Sequence, residues 1–554
     1  MRALHSFPGG VHPPQHKHES TQRPIAQLPL PDRLILPLQQ HIGAPAKPLV
    51  SVGDTVLKGQ QIAHADGYVS VCQHATSSGT VVDINDYPVP HPSGLSAACI
   101  VIEPDGEDQW INHEPEGDYH DIDPSHLRNL IREAGIVGLG GAGFPSFIKL
   151  NPGTRKAVDM LIINGIECEP YITCDDMLMR ERADDIVAGI RIIQHALRAA
   201  KTVIAIEDNK PEAARIMGQA VEGSDLEIVS CPTIYPQGSE KQLIQVITGQ
   251  EVPSNGLPIH IGMVVHNVGT AAAVYRAIEL GEPLVNRVVT VTGGGVERPG
   301  NLEVPFGTPI RHLLEHSGGP HQNTNRVIMG GPMMGFALHS DLAPVIKTTN
   351  CILAATEQDA MVNQGPVMPC IRCGACADAC PVRLLPQQLY WYTRARDFDN
   401  TQEYNLFDCI ECGCCAYVCP SNIPLVHYYR FAKSEIWAAE REKEKADIAR
   451  QRHEFRLERL EREKAERAAR HKRKKAELTE ETTSAPQKTD PKKAAIVAAM
   501  ERVKAKKATG DAAPRNVDNL TEAQQKMIDE VDKRRKRQSA DETPEKEPHS
   551  REQE

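Results

Sequence analysis

At 554 residues the chain is too long for one hydrophobic core, so three or four domains are expected. Its 40% hydrophobic and 24% charged residues suit a soluble globular protein, and no run approaches the 18 consecutive apolar residues of a membrane span, which excludes an integral membrane protein. The net charge of −11 is uneven: residues 434–554 hold 31 Lys and Arg against 27 Asp and Glu, the remainder 31 against 46, and so acidic a body argues against nucleic acid as the main partner.

The N-terminal segment Met1–Pro8 has no apolar signal region, which predicts a cytoplasmic protein. His5, His12, His16 and His18 lie in a Pro/Gly-rich lead-in that reads as a surface strap, with metal binding as the sharper alternative. Across 40–103, valines alternate with small polar residues, as in Pro48-Leu49-Val50-Ser51-Val52, and are broken by Gly-Asp and Ser-Gly turns. This predicts a compact β-sandwich similar to lipoyl and biotinyl carrier domains, so that 1–120 forms a strap plus a sandwich module. A carrier needs a lysine at its hairpin tip; Gly67–His74 has none, so a structural or docking role is expected.

Residues 121–285 alternate helical patterns with apolar runs (Met160–Ile163, Thr202–Ile206, Leu226–Ser230), the signature of an α/β domain. Within it, Gly138-Leu139-Gly140-Gly141-Ala142-Gly143-Phe144-Pro145 can form an anion-binding nest, although it is neither a P-loop nor preceded by an obvious strand. The run at 160 ends in Asn164-Gly165-Ile166-Glu167-Cys168-Glu169-Pro170, polar groups at the carboxyl end of a buried strand, where α/β folds place ligands. Residues 286–345 turn β-rich, and the glycine runs 293–295 and 330–335 read as tight turns more readily than as ligand contacts.

Nine of the fifteen cysteines fall between 370 and 419. Cys370, Cys373, Cys376 and Cys380, followed by Pro381, and Cys409, Cys412, Cys415 and Cys419, followed by Pro420, both fit C-x2-C-x2-C-x3-C-P. Two such runs are the two-cluster ferredoxin pattern, in which each fourth cysteine reaches the other cluster. Cys370, Cys373, Cys376 and Cys419 then hold one [4Fe–4S] cluster, and Cys409, Cys412, Cys415 and Cys380 the other. Zinc favours paired knuckles with a spacer, and Cys414 falls out of phase. A helical two-cluster module is expected over 346–433. From Ser434 a charged tail follows: helical to about Glu481, with i,i+4 pairs such as Glu458–Arg462, Glu463–Arg467 and Glu466–Arg470, then disordered. Its basic bursts, Lys472–Lys475 and Lys533–Arg537, read as parts of a solvated tether, with anionic lipid as the alternative.

The glycine loop and the strand end resemble the NADH- and flavin-binding fold of the respiratory complex I flavoprotein subunit, whose motifs are G-R-G-G-A-G-F-P and N-A-D-E-x-E-P. With the paired ferredoxin motifs, residues 1–433 resemble more closely the C subunit of the Rnf (Rsx) electron-transport complexes. The resemblance implies non-covalent FMN and NADH bound at 121–285, a small β-grasp (SLBB-like) domain at 286–345 and two [4Fe–4S] clusters. Gly138, Gly140, Gly141, Ala142 and Gly143, with Phe144, would line the flavin phosphate and the pyridine nucleotide, and Lys149 would face the phosphate. Asn164 and Glu167 would contact the flavin and Glu169 the nicotinamide nucleotide. Gly238 and Glu240 lie in the counterpart of the family's G-E-E-T turn, and Asn267 in that of its N-N-V-E-T strand end. Leu139, Ile166 and Ser239 depart from the Arg, Asp and Glu of complex I and imply fewer charges around the ring.

As a whole the resemblance implies an NADH-dependent oxidoreductase subunit, peripheral on the cytoplasmic face of the inner membrane. Its partners would be membrane subunits that move ions and a ferredoxin or flavodoxin. No catalytic side chain is assigned, since the cofactors carry the electrons. A soluble NADH-dependent cobalamin reductase of the same broad family and an electron-wiring scaffold without nucleotide binding are the alternatives.

Overall fold

The computed structural model describes residues 3–153, 157–359, 365–483 and 491–508, with Gln525 and Asp529. The three apolar runs expected near 160, 202 and 226, joined by a fourth at 263, pair side by side. Their order is Glu227–Cys231, Thr202–Glu207, Met160–Gly165, Met263–Asn267, and every pairing is parallel. Thr202–Glu207 is buried along its whole length, as a strand inside a covered parallel sheet must be. Of the covering helices, Ala183–Leu197 and Val268–Glu279 pack so closely that a Cβ on Gly189 would stand 1.8 Å from the Ala271 carbonyl oxygen.

The N-terminal β module has two antiparallel sheets. One runs Leu34–Pro37, Ser96–Pro104, Gly79–Pro88, Thr55–Val56; the other runs Lys47–Pro48, Gln61–His64, Gln73–His74. Leu36, Val56, Ile62, Val81, Ile100 and Ile102 fill its core. The loop around Gly67 docks beside the glycine loop: Arg132 donates to the Gly67 carbonyl at 2.7 Å, and Tyr68 meets Phe147 edge-on at 5.9 Å.

A third sheet has six strands, in the order Ala26–Gln27, Gly300–Pro305, Asn286–Thr292, Cys351–Ala355, Arg326–Met329, Phe336–Ala337. It exceeds the 286–345 expected from sequence at both ends. Ala26–Gln27 joins from the segment just after the strap, and Cys351–Ala355, an apolar run assigned to the cluster module, is a buried strand in its middle.

The cluster module packs short helices, among them Pro386–Ala395 and Phe398–Glu403, against the first turns of the helix Leu425–Thr483. That helix runs unbroken across the change of composition at Ser434. Leu425, Val426, Tyr429, Ala432 and Ile436 are buried, so the change marks where side chains meet solvent and not where the backbone ends an element. Pro491–Ala508 is also helical, where disorder was expected; Pro suits the first position, where its missing N–H costs nothing, and the Ala and Lys that follow are strong helix formers. Among the described residues the i,i+4 ion pair on the long helix is Arg459 with Glu463 at 3.8 Å, not the three pairs anticipated, as solvated side chains gain little from pairing. Lys472–Lys475 lies on this helix; Lys533–Arg537 lies outside the described residues. No described helix is long and apolar enough to cross a membrane. By internal contacts the chain divides at Glu444 into Met1–Glu444 and Lys445–Glu554.

Candidate cofactor sites

In an open parallel sheet, ligands bind outside the carboxyl ends of the strands where the strand order reverses. Here the chain starts at Met160–Gly165, builds outward through two strands on one side, and returns to the other side as Met263–Asn267. The two neighbours end in register, Asn164 opposite Asn267. Beyond these ends opens a cavity of about 620 Å³. Its wall includes Gly138, Gly140, Gly141, Ala142, Phe144, Lys149, Asn164, Glu167, Glu169, Gly238, Glu240 and Asn267. Gly143 is not in the wall: a Cβ there would lie 2.4 Å from the Thr348 methyl, and its amide closes the loop onto the Gly138 carbonyl.

The loop is shaped from below. Leu139 donates its amide to the Thr270 hydroxyl at 2.9 Å and accepts from the buried Arg287 guanidinium at 2.9 Å. Its side chain faces a separate small cavity beside Arg287, so position 139 does not face the main cavity and cannot thin the charge there directly; Ile166 and Ser239 do line it. The amides of Gly140, Gly141 and Ala142 make no hydrogen bond among the described residues. Gly141 adopts φ +111°, with nothing within 4 Å of where a Cβ would stand.

The acidic groups are held with their oxygens largely engaged. Glu167 accepts from the amides of Asp175 (2.8 Å) and Asp176 (3.3 Å) at the start of the helix Cys174–Glu181, where the helix dipole favours a carboxylate. Asp175 accepts from Asn267 Nδ2 at 2.6 Å; burial first, then the Glu167 charge, pushes its carboxyl well above the usual range. Glu169 accepts from the amides of Met333 (2.7 Å) and Met334 (3.0 Å), and burial raises it as well. Lys149 pairs with Glu240 at 2.9 Å and donates to the Val265 carbonyl. Asn164 donates to the Gly238 carbonyl, and Asn267 caps the helix Val268–Glu279.

Several wall residues escaped the sequence reading. His266 is buried, its Nε2 has no partner among the described residues, and burial followed by Lys149 lowers its pKa to about 3, leaving it neutral. Adjacency to Asn267 was the available signal, as the Cys-Asp-Asp sequence was for Asp175. The turn at 330–335, read as structural, contributes Gly330, Gly331, Met334 and Gly335 to the wall. No sequence signal pointed to Tyr235. The donor set suits FMN: free loop amides and Lys149 could hold a phosphate, and His266, Asn164 and Asn267 could meet a polar ring edge.

The cysteines gather in the crossed sets. Cys370, Cys373, Cys376 and Cys419 line one small cavity, and Cys380, Cys409, Cys412 and Cys415 line another. Gly374 (φ +87°) and Gly413 (φ +83°) occupy matching turns. The Leu384 amide donates to Cys380 Sγ at 3.3 Å. Four thiols around each cavity, with amide donors to sulfur, fit [4Fe–4S] cubes. Cys414 points elsewhere, into the core beside the Tyr235 carbonyl. Ile410 and Cys412 line both the second thiol cavity and the large cavity, and Tyr235, in the wall of the latter, donates its hydroxyl to the Cys412 carbonyl at 2.6 Å.

The strap carries no histidine cluster among the described residues. His16 stacks on Tyr171 at 4.6 Å, and Phe7 and Val11 are buried against the body.

Comparison with known families fits this layout. Residues 5–107 match the RnfC barrel sandwich hybrid domain, 131–276 the Nuo51 FMN-binding domain, 288–337 the SLBB domain and 369–423 the 4Fe-4S dicluster domain. The C subunit of the ion-translocating oxidoreductase complex of Pseudomonas aeruginosa is 52% identical over 83% of this chain and 59% of its own length. Its namesake in Haemophilus influenzae is 47% identical over 94% of this chain and 77% of its own. The chain thus spans about three fifths of the Pseudomonas relative. An NAD+-reducing [NiFe]-hydrogenase chain overlaps 55% of this chain and 61% of its own at 21% identity and a TM-score of 0.42, too loose a likeness to carry an argument. The chain belongs to the RnfC family, the C subunits of ion-translocating oxidoreductase complexes, with FMN and two [4Fe–4S] clusters as its cofactors.

Proposed function

We propose that this chain is the NADH-oxidising, or NAD-reducing, peripheral subunit of a membrane-bound ion-translocating complex. It would pass electrons between NADH, FMN and its two clusters to membrane subunits and a ferredoxin or flavodoxin. The observation that carries this reading is the wall shared between the large cavity and the Cys412 cavity. A bound flavin supplies the conversion between electron pairs and single electrons. The overall exchange balances: NADH and two oxidised clusters yield NAD+, a proton and two clusters each reduced by one electron.

The residues divide the work. The amides of Gly140, Gly141 and Ala142, with Lys149, hold phosphate. Asn164, Asn267 and His266 orient the ring, and Glu169 and the 330–335 turn border the nucleotide. Cys412, which lines both cavities, would hold the cluster that exchanges electrons with the flavin, and Cys370, Cys373, Cys376 and Cys419 would hold the one that passes them on to the partner. Cys373 is the exposed member of that set.

The test is anaerobic purification followed by NADH titration, read by flavin absorbance and EPR. Flavin bleaching followed by the signals of two interacting clusters is expected. A protein without flavin, or with far fewer than about eight iron atoms, refutes the reading. Sedimentation with membranes only when the partner subunits are present tests the peripheral location.

A further inference from the structure

The strap is tied at both ends of the route between flavin cavity and cluster. At the flavin end, the Lys17 ammonium donates to three carbonyls, Glu167 (2.6 Å), Glu169 (2.9 Å) and Ile172 (2.7 Å), all in the loop that brings Glu167 and Glu169 to the cavity wall. The Tyr171 amide donates to the Gln15 carbonyl beside it. At the cluster end, Gly10 donates its amide to the Ala379 carbonyl at 3.1 Å, next to the ligand Cys380. Gly9 lies flat on that turn: a Cβ there would stand 2.7 Å from the backbone of both Ala379 and Cys380, and its φ is +62°.

Between the two ends, Val11 and Tyr235 exchange amide hydrogen bonds in both directions, 2.9 and 3.0 Å, and the Tyr235 hydroxyl reaches the Cys412 carbonyl. One short segment thus holds the flavin-site loop, the Cys380 turn and, through Tyr235, the Cys412 turn.

We propose that the N-terminal strap, residues 5–20, is a clamp whose contacts at Lys17, Gly9 and Tyr235 fix the gap between the flavin cavity and the cluster held by Cys380, Cys409, Cys412 and Cys415. Its residues are positioning residues for electron transfer and touch no substrate. The inference rests on the proposed flavin-to-cluster relay. Transfer between fixed carriers depends steeply on their separation, so a clamp that shifts slows the cluster step while leaving the flavin's own chemistry in place.

The experiment uses the full-length anaerobic holoprotein. Gly9→Ala forces the strap or the Cys380 turn to move; Gly53→Ala, at φ +97° with open space around it, controls for backbone strain. Mixed rapidly with NADH, Gly9→Ala should bleach its flavin at the wild-type rate but reduce its clusters about tenfold or more slowly, with flavin and iron contents unchanged. Amide exchange across 377–383 should also quicken in the absence of NADH. Tyr235→Phe, which removes one hydroxyl, should lower the ratio of cluster to flavin reduction rates and serves if Gly9→Ala does not accumulate.

Wild-type ratios in the variants, with unchanged exchange at 377–383, overturn the clamp. If the wild type itself shows no NADH bleaching, it is the relay that fails. Exchange at 377–383 then still reports whether the strap holds the turn.

Discussion

Counting iron in paired cysteine variants tests the crossed ligand sets directly. Cys380 belongs by sequence to the first motif, yet it lines the cavity of Cys409, Cys412 and Cys415. Its sequence neighbour Cys376 lines the other cavity with Cys419. The intact chain should carry about eight iron atoms, four per cube. In Cys380→Ala/Cys415→Ala both losses fall on one cube, so about four atoms should remain, with the EPR signal of one isolated cluster. In Cys376→Ala/Cys380→Ala the losses fall on different cubes, and almost no intact cluster should remain. Ligation confined to each motif predicts the reverse in both pairs, so the two hypotheses differ by a whole cluster in each. Cys414→Ala should keep all eight atoms, because its thiol lies outside both cavities. Anaerobic iron and sulfide analysis with EPR of the dithionite-reduced proteins provides the assay. Four atoms in the 376/380 pair and none in the 380/415 pair would refute the crossed arrangement.

Other expectations follow from the cavity and from two buried charges. Gly140→Val adds bulk where a Cβ would already approach the Asn267 side chain at 3.4 Å; FMN binding to deflavinated protein should weaken at least about tenfold, with iron content unchanged. Lys347 is buried, donates among the described residues only to the carbonyls of Cys72 and Gly135, and is pushed down to about 7 by burial. Between pH 7 and about 10 the unfolded chain holds that proton and the folded one does not. Its cost is therefore complete below pH 7 and fades as pH rises, by up to about 1.4 kcal/mol per unit. The melting temperature of Lys347→Met relative to wild type should then be highest near pH 6 and fall steadily towards pH 10. Asp175, raised by burial and by Glu167, has the opposite signature: its cost is absent below the unfolded carboxylate pKa and complete above the folded one. Asp175→Asn should gain more in melting temperature at pH 8 than at pH 4, and an equal gain at both contradicts the assignment.

Much of this molecule is local and therefore legible in sequence. The cysteine spacing sets how three ligands wrap a cube. Clustered glycines permit a backbone that leaves amides unpaired, and unbroken apolar runs such as Leu161-Ile162-Ile163 demand burial in a sheet covered on both faces. The strand-end residues carried by family resemblance fell in one cavity wall because they end neighbouring strands, Met160–Gly165 and Met263–Asn267, and the glycine loop joins them there through the Leu139 amide on Thr270. Gly143 differed because its neighbour in space, Thr348, lies more than two hundred residues along the chain.

What escaped was set by contacts between distant segments. The Gly330–Gly335 turn reads as punctuation until Glu169 accepts two of its amides. Cys351–Ala355 follows the β-rich region by only a few residues, yet it is one of that sheet's two middle strands. The composition change at Ser434 marks exposure and not an end of the helix. Sequence by itself determined the two iron–sulfur clusters, because ligand type and local spacing are properties of a few consecutive residues, and it pointed to FMN through the family resemblance of the glycine loop and strand end. Tertiary structure alone decided which cluster adjoins the flavin cavity, and that a strap from the far N-terminus holds the two together, because both depend on chain reversals that bring remote backbone into hydrogen-bonding distance.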